Sequence, residues 1–400
     1  MHMPTLDEVL RHKGAEYAPF DVTRVHRIYK DIAPIFGFND IYGARCKVIR
    51  IIGTNGKGSS GRFITMGLAQ NGKSALHFSS PHLFRFNERF FVSSAHFKGD
   101  VSDEMLENAH KALWRIESSH EASYFEYATF LALVLAMESE YLVLESGVGG
   151  EFDSTSVLNA QASLFTLIGL DHQEMLGNSI EQIALTKLKA MSGHVIVGRQ
   201  NERAVEKLAL EIIESKSLCG ELWQDISTHP RLKSEQNAME GYAKKYNLPA
   251  FLRENLYNAM RVLDVFGMKF DFAHLEALSL RGRCERVAAN IVLDVGHNVD
   301  GAVVLREYLG AKRVNLVYNS YAEKDIEAIL SQLLPIIKKV LIISVENFRI
   351  CPRDRLIRAL KALKVAYEDF NIHKIKPDED YLVFGSFSVA QEFLRQYEDL

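Results

Sequence analysis

Gly53-Thr54-Asn55-Gly56-Lys57-Gly58-Ser59 is the stretch on which the reading of this chain turns. A β-prone apolar run, Cys46 to Ile52, precedes it, and an apolar-periodic run carrying Phe63, Ile64, Met66 and Leu68 follows. Strand, glycine-rich turn and helix in that order make a phosphate-binding loop. The glycines let the backbone approach an anion, the helix start supplies unpaired N–H groups and the positive end of a dipole, and Lys57 adds a point charge. Ser59 offers a hydroxyl to Mg²⁺. Gly58 separates the lysine from the serine, so the spacing is not the common G-x-x-x-x-G-K-[ST], and a generic nucleotide switch fits poorly. The seven residues together are expected to hold ATP.

Outward from this loop, strand-like apolar runs alternate with helical ones: Val48 to Ile52, Leu142 to Leu144, Leu164 to Leu170, Val195 to Val197, then Ile291 to Asp294, Val314 to Tyr318, Val340 to Val345 and Tyr381 to Phe384. Such alternation predicts an α/β fold with parallel sheets covered by helices, and it occurs twice. The polar stretch Ser227 to Lys245 and the helical run Arg253 to Phe266 separate the two sets. We therefore expect an N-terminal domain over residues 1–278, carrying the phosphate loop, and a smaller C-terminal domain over 279–400. Glu145 closes one strand-like run and His172 follows another, which puts both at the carboxyl edge of a parallel sheet, where open α/β sheets bind ligands. With the hydroxyls of Ser59 and Ser80 they form a mixed set that Mg²⁺ accepts when water and phosphate complete its octahedron.

The composition narrows the class. Four hundred residues exceed what one core usually serves, and 47% hydrophobic content is enough for two. A formal net charge of −4 with interspersed signs argues against a nucleic-acid binder. Cys46, Cys219, Cys284 and Cys351 lie far apart and form no paired ligand spacing, so neither a zinc site nor a disulfide framework is expected. Met1-His2-Met3-Pro4 lacks a basic start followed by an apolar core, and the longest aliphatic run, Phe130 to Met137, is too short to span a bilayer. The expectation is a cytoplasmic enzyme without a membrane partner.

The loop is followed by Ser79-Ser80-Pro81-His82-Leu83, Arg85-Phe86-Asn87-Glu88-Arg89, Glu145-Ser146-Gly147-Val148-Gly149-Gly150 and Leu170-Asp171-His172, then by Arg283, Leu293-Asp294-Val295-Gly296-His297-Asn298 and Glu323-Lys324-Asp325. In that order the set resembles the folylpolyglutamate synthase and dihydrofolate synthase family, a branch of the Mur ligases, from about Asp21 to Phe387. The resemblance implies a Mur-ligase-like fold, a P-loop ATPase domain followed by a Rossmann-like one, and a monomer. It implies Ser59, Ser80, Glu145, His172 and a carbamylated Lys187 as ligands to two magnesium ions, with K⁺ as a further ion. Carbamylation has a physical reason, because a bare lysine beside Mg²⁺ would be repelled and a carbamate is attracted. Arg283, Asp294, His297 and Asn255 match the family's nucleotide contacts, and Arg283 is expected to reach the phosphates when the second domain closes. Pro81, His82, Arg85, Phe125 and Asp153 are expected to contact the pterin substrate. Lys57, His172, Lys187, Arg283 and His297 form the expected catalytic group. Singly, several of these residues have plainer readings: Asp294 as a helix cap, His297 as a turn residue, Phe125 as a buried aromatic, Lys187 as a solvated helix lysine.

The implied reaction is ATP-dependent phosphorylation of a pteroate or folate carboxylate, followed by attack of the glutamate amine to form an amide. Neither nucleophile is a protein side chain, in keeping with the lack of a serine or cysteine catalytic constellation. The alternatives are another Mur-type amino-acid ligase, a P-loop kinase or hydrolase, and a P-loop nucleotide-binding protein without turnover. A peptidoglycan ligase would need a nucleotide-sugar domain, and only about 45 residues precede the phosphate strand. The chain departs from the family pattern at Glu151, Phe152, Ser154 and Ser156, and at Arg281, Phe251 and Leu252.

Overall fold

The computed structural model describes residues 3–14, 21–38 and 46–398, so the Met1-His2 part of the N-terminal reading lies outside it. The described chain divides into two compact units, Met1–Leu248 with Leu252–Leu278, and Pro249–Phe251 with Ser279–Leu400.

The first unit is built on β1 (Lys47–Ile52), β2 (Ala75–Phe78), β3 (Phe90–Ser93), β4 (Lys98–Asp100), β5 (Tyr141–Glu145), β6 (Ala162–Phe165), β7 (His194–Val197) and β8 (Gly220–Glu221). They form one sheet in the order β4-β3-β2-β5-β1-β6-β7-β8. From β2 to β8 the pairing is parallel, and β3 and β4 add an antiparallel edge. In β1, Val48 joins the layer formed with the helices Val22–Phe36 and Tyr124–Leu135, while Ile49 and Ile51 join the opposite layer under Lys57–Gln70 and Ala250–Val265. A strand buried on both faces reads as a nearly continuous apolar run, broken here only by Arg50 after Lys47, and is recognisable for that reason. Burying each such Ile or Phe contributes about 1.5–3 kcal/mol.

Register sets the site. Ile51 stands beside Glu145 on one side and Leu164 on the other, so Glu145 and the chain leaving β6 flank the loop that begins at Gly53. The expected strand Leu164 to Leu170 is shorter than predicted, ending at Phe165. Beyond it the Leu167 carbonyl accepts from Thr54 N at 2.8 Å, and Ile168 N donates to Gln200 Oε1 at 3.0 Å, so the chain turns away to hold the phosphate loop.

In the second unit β9 (Glu285–Ala288), β10 (Ile291–Leu293), β11 (Val314–Tyr318), β12 (Ile337–Ile342), β13 (Tyr367–Asp369) and β14 (Tyr381–Phe384) lie in the order β13-β12-β11-β14-β10-β9. All are parallel except β9. The helices Val299–Leu309, Ile326–Leu333 and Arg353–Ala362 supply the apolar layer over β11 and β12. The run expected at Val340 to Val345 forms its strand earlier, at Ile337–Ile342. Among the described residues, no helix is long and apolar enough to cross a membrane.

Candidate active site

The phosphate loop is held open by its neighbours. A Cβ at Gly53 would lie 2.0 Å from Thr166 Oγ1, and one at Gly56 would lie 2.5 Å from Asn255 Oδ1. Gly56 also takes φ +88°, so only glycine fits both the space and the backbone. Thr54 Oγ1 donates to the Gly169 carbonyl at 3.1 Å and accepts from Gly169 N at 3.0 Å, which fastens the loop to the segment after β6. The helix Lys57–Gln70 then starts immediately, and its first-turn N–H groups are those a helix cannot satisfy internally.

Two lysines converge on this loop. Lys57 Nζ donates to the carbonyls of Gly53 and Thr54 at 3.1 and 3.3 Å and lies 3.8 Å from Glu145 Oε1. Lys187, on the helix Ile180–Leu188, is buried and donates to the same Gly53 carbonyl at 3.1 Å. Burial, with the charge of Lys57 beside it, pushes the Lys187 ammonium down to about 7, while Asp171 and Asp153 oppose the shift. The plain reading of Lys187 as a solvated helix lysine is thus overturned.

Glu145 ends β5 with its side chain buried, and its Oε2 accepts from Ser80 N at 3.4 Å. Ser59 Oγ donates to the Gly56 carbonyl at 3.3 Å and accepts from Asn255 Nδ2 at 2.8 Å, so Asn255 braces the phosphate loop itself. His172 takes a left-handed backbone, φ 51° and ψ 41°, at the start of the helix Gln173–Leu176. Its Nδ1 is 3.8 Å from Glu174 Oε1. Such a backbone on a non-glycine residue is strain of the kind concentrated at functional corners. Among the described residues no three His, Cys, Asp or Glu side chains are grouped to hold a metal. The donors placed around the loop are instead the Ser59 hydroxyl, the Glu145 carboxylate and loop carbonyls beside a buried amine. Such oxygen donors fit a hard cation that keeps phosphate and water as its remaining ligands.

The segment Ser80 to Arg89 is organised by Glu88, whose carboxylate accepts from the backbone N–H groups of Leu83, Phe84 and Arg85 at 2.7, 3.0 and 2.9 Å. Arg89 is buried and donates Nε to His82 Nδ1 at 2.9 Å, with its guanidinium 5.6 Å from the rings of Phe86 and Tyr124. Burial and that guanidinium push His82 down to about 3, so the imidazole is neutral and carries its proton on Nε2. Pro81 is half-buried in this segment. Phe125 is buried against Phe78, with ring centroids 5.8 Å apart, and a Cβ at Gly147 would lie 2.6 Å from its ring. Arg85 forks onto Asp103 at 2.7 and 2.8 Å, and Asp153 spends its buried carboxylate on Val148 N, Thr155 N and Thr155 Oγ1 at 3.0, 2.9 and 2.6 Å. In this arrangement Asp103 engages the Arg85 guanidinium, and the N–H and hydroxyl groups of its own turn engage the Asp153 carboxylate. Arg89 and Glu88, which orient the segment, were not among the expected site residues. The signal for Arg89 was a charged residue directly before the apolar strand Phe90–Ser93.

In the second unit Asp294 follows β10, and its buried carboxylate accepts from Cys284 N at 2.8 Å and Gly296 N at 2.7 Å. Burial raises its pKa, against the pull of Arg283 and those N–H groups. Arg283 places its guanidinium 5.1 Å from the Phe387 ring centroid. His297 Nδ1 donates to the Val295 carbonyl at 3.2 Å. Asn298 and Asp325 cap the helices Val299–Leu309 and Ile326–Leu333. Asp294, His297, Lys324 and Asp325 all follow parallel strands at the carboxyl edge of the sheet, where such sheets bind ligands.

A glycine-rich phosphate loop with paired lysines, in a parallel-sheet unit followed by a second α/β unit, defines a Mur-ligase-like ATP-dependent ligase. No family model matches the chain. The solved folylpolyglutamate synthetase of Helicobacter pylori is 38% identical, with a TM-score of 0.77 over 99% of this chain and 98% of that one. The curated dihydrofolate synthase/folylpolyglutamate synthase of Haemophilus influenzae is 28% identical, covering 86% of this chain and 88% of its own. The bifunctional enzyme of Yersinia pestis, solved with AMPPNP and a Mn ion, is 21% identical with a TM-score of 0.79, covering 99% and 98% of the two chains, and shares the fold. The chain belongs to the folylpolyglutamate synthase/dihydrofolate synthase family.

Proposed function

We propose that this ligase adds L-glutamate to dihydropteroate and to reduced folates, using ATP and Mg²⁺. The observation that carries the reading is the pair Lys57 and Lys187 on one loop carbonyl, with Glu145 beside Lys57. The loop's N–H groups and Lys57 would bind the ATP phosphates and offset the charge that grows on them. An acceptor carboxylate oxygen attacks the γ-phosphorus, ADP leaves, and an acyl phosphate forms. The glutamate amine then attacks the acyl carbon, loses a proton, and inorganic phosphate departs. Ser59, Ser80, Glu145, His172 and Lys187 as its carbamate are the residues we propose for two Mg²⁺ ions. The metal, when bound, would polarise the phosphoryl oxygens. Arg283, Asp294 and His297 of the second unit are proposed to contact the nucleotide, and neutral His82, with Pro81 and Phe125, the pterin end of the acceptor. A cytoplasmic monomer, with K⁺ as an added activator, completes the reading.

Support comes from the names of the relatives and from the AMPPNP and Mn bound by the Yersinia enzyme. The test offers purified protein dihydropteroate and then a reduced folate, each with ATP, Mg²⁺ and labelled glutamate. ADP release dependent on both glutamate and acceptor is expected. ADP release without glutamate would identify a hydrolase, and ATP binding without turnover a regulator.

A further inference from the structure

β1 carries one residue out of keeping with its surroundings. In Lys47-Val48-Ile49-Arg50-Ile51-Ile52 the arginine lies on the face where its neighbours Val48 and Ile52 are buried, in the centre of the sheet, and is itself only 3% exposed. A buried guanidinium is costly unless its donors are used, and of the three Arg50 nitrogens only Nε finds no partner among the described residues. Arg50 Nη1 donates to the Thr155 carbonyl at 3.3 Å, and Nη2 donates to the Ala190 carbonyl at 2.6 Å and to Ser192 Oγ at 2.8 Å. Ala190 lies just beyond the helix Ile180–Leu188 that carries Lys187, and Thr155 belongs to the turn organised by Asp153. The same strand reaches Gly53 three residues later, and Gly53 is where Lys187 Nζ lands.

We infer that Arg50 is a positioning residue for Lys187: it ties the end of the Lys187 helix and the Asp153 turn to the strand that feeds the phosphate loop, and so fixes the distance from that helix to the Gly53 carbonyl. Three further contacts make the tie specific. Glu151 N donates to the Thr186 carbonyl at 2.9 Å, Ser192 Oγ also accepts from Ala160 N at 3.2 Å, and a Cβ on Gly150 would sit 2.7 Å from the Lys187 carbonyl. The lysine helix is therefore clamped along its last turn, and Arg50 is the clamp's only charged side chain reaching from the central strand among the described residues. Asp153 lies within electrostatic reach of both Arg50 and Lys187, so one carboxylate attracts the cations at both ends of the tie.

The inference rests on the reading of Lys187 as a site residue, and the test separates the two. Arg50→Met, Arg50→Lys and Ser192→Ala are compared in the parent and in the Lys187→Ala background, with short carboxylic acids added to restore turnover to the latter. Arg50→Met is expected to lower kcat about 100-fold, as a displacement near 1 Å does, while the affinity for a non-hydrolysable ATP analogue stays within twofold. Arg50→Lys should recover part of the loss. In the rescued Lys187→Ala background, Arg50→Met should lower the rate no further. If Arg50→Met does not fold, Arg50→Lys and Ser192→Ala carry the same comparison with smaller losses. Equal losses in both backgrounds, or a loss of nucleotide affinity matching the loss of kcat, would overturn the positioning role alone. Full activity of Lys187→Ala without additive would overturn the reading of Lys187 and the positioning role with it.

Discussion

At the residue scale the proposed site holds two lysine amines that share one carbonyl. Lys57 and Lys187 both donate to Gly53 O at 3.1 Å, so their charges oppose each other in a buried place. Converting Lys187 to a carbamate removes that conflict and requires the neutral amine. Because burial holds Lys187 at about 7, its neutral fraction rises as pH rises through 7. Ligase activity at limiting bicarbonate is therefore expected to fall about tenfold per pH unit below that point. Lys187→Ala rescued by short carboxylic acids should lack this limb, and a pH–rate profile of both proteins checks it. The linkage has the matching sign: the unfolded chain binds this proton more tightly, so the unmodified protein gains stability as pH rises from about 7 towards 10.5. The lysine was legible only through its place fifteen positions after His172 in a family-like segment, since nothing local marks it as buried. The partners that Arg85 and Asp153 hold in the fold were not legible in the sequence. Asp103 sits 18 positions from Arg85, and Asp153 turns back on backbone N–H groups that any loop possesses.

At the scale of elements, the segment Gly147 to Asp153 is wedged between the Phe125 ring and the helix that carries Lys187. A Cβ on Gly147 would meet the Phe125 ring at 2.6 Å, and one on Gly150 would meet the carbonyl and Cα of Lys187 at 2.7 and 2.9 Å. Backbone cannot swing aside as a side-chain tip can. Gly150→Ala is therefore expected to displace the Lys187 helix and lower kcat about 100-fold, with a KM for ATP close to the parent value, measured by steady-state kinetics. An unchanged kcat would show that the wedge transmits nothing. The central strands were readable because burial on both faces makes them mostly apolar, as in β1, β5, β7, β11 and β14, with Arg50, Glu145 and Asn315 as buried polar exceptions. The edges were not. Lys98–Asp100 and Glu285–Ala288 are half-exposed and charged, with no apolar run or alternation to announce them, and their pairing comes from the strand alongside. Leu170, expected in a strand, is 53% exposed because the chain has left the ladder to hold Thr54.

At the scale of the whole molecule there is one phosphate loop and one paired-lysine site among the described residues, while the proposed reaction has two acceptors. Dihydropteroate and reduced folates differ in what precedes the carboxylate, but both must bring that carboxylate to the same γ-phosphorus. A residue that acts on the phosphate serves both; one that touches the pterin can favour either. On the metal-ligand reading proposed above, Glu145, buried beside Lys57 and bonded to Ser80 N, is of the first kind, and His172 at its strained corner is its companion. Glu145→Gln and His172→Ala are thus expected to lower glutamylation of dihydropteroate and of reduced folate by the same factor, at least about 100-fold, because metal polarisation is worth several kcal/mol in the transition state. His82→Ala, which removes a neutral imidazole held in place by Arg89, should instead change the ratio of the two activities through KM for the acceptor. Parallel assays with both acceptors on the three variants decide the matter. A Glu145→Gln enzyme that loses one activity and keeps the other would require two sites or two mechanisms in a chain whose described residues supply a single phosphate loop.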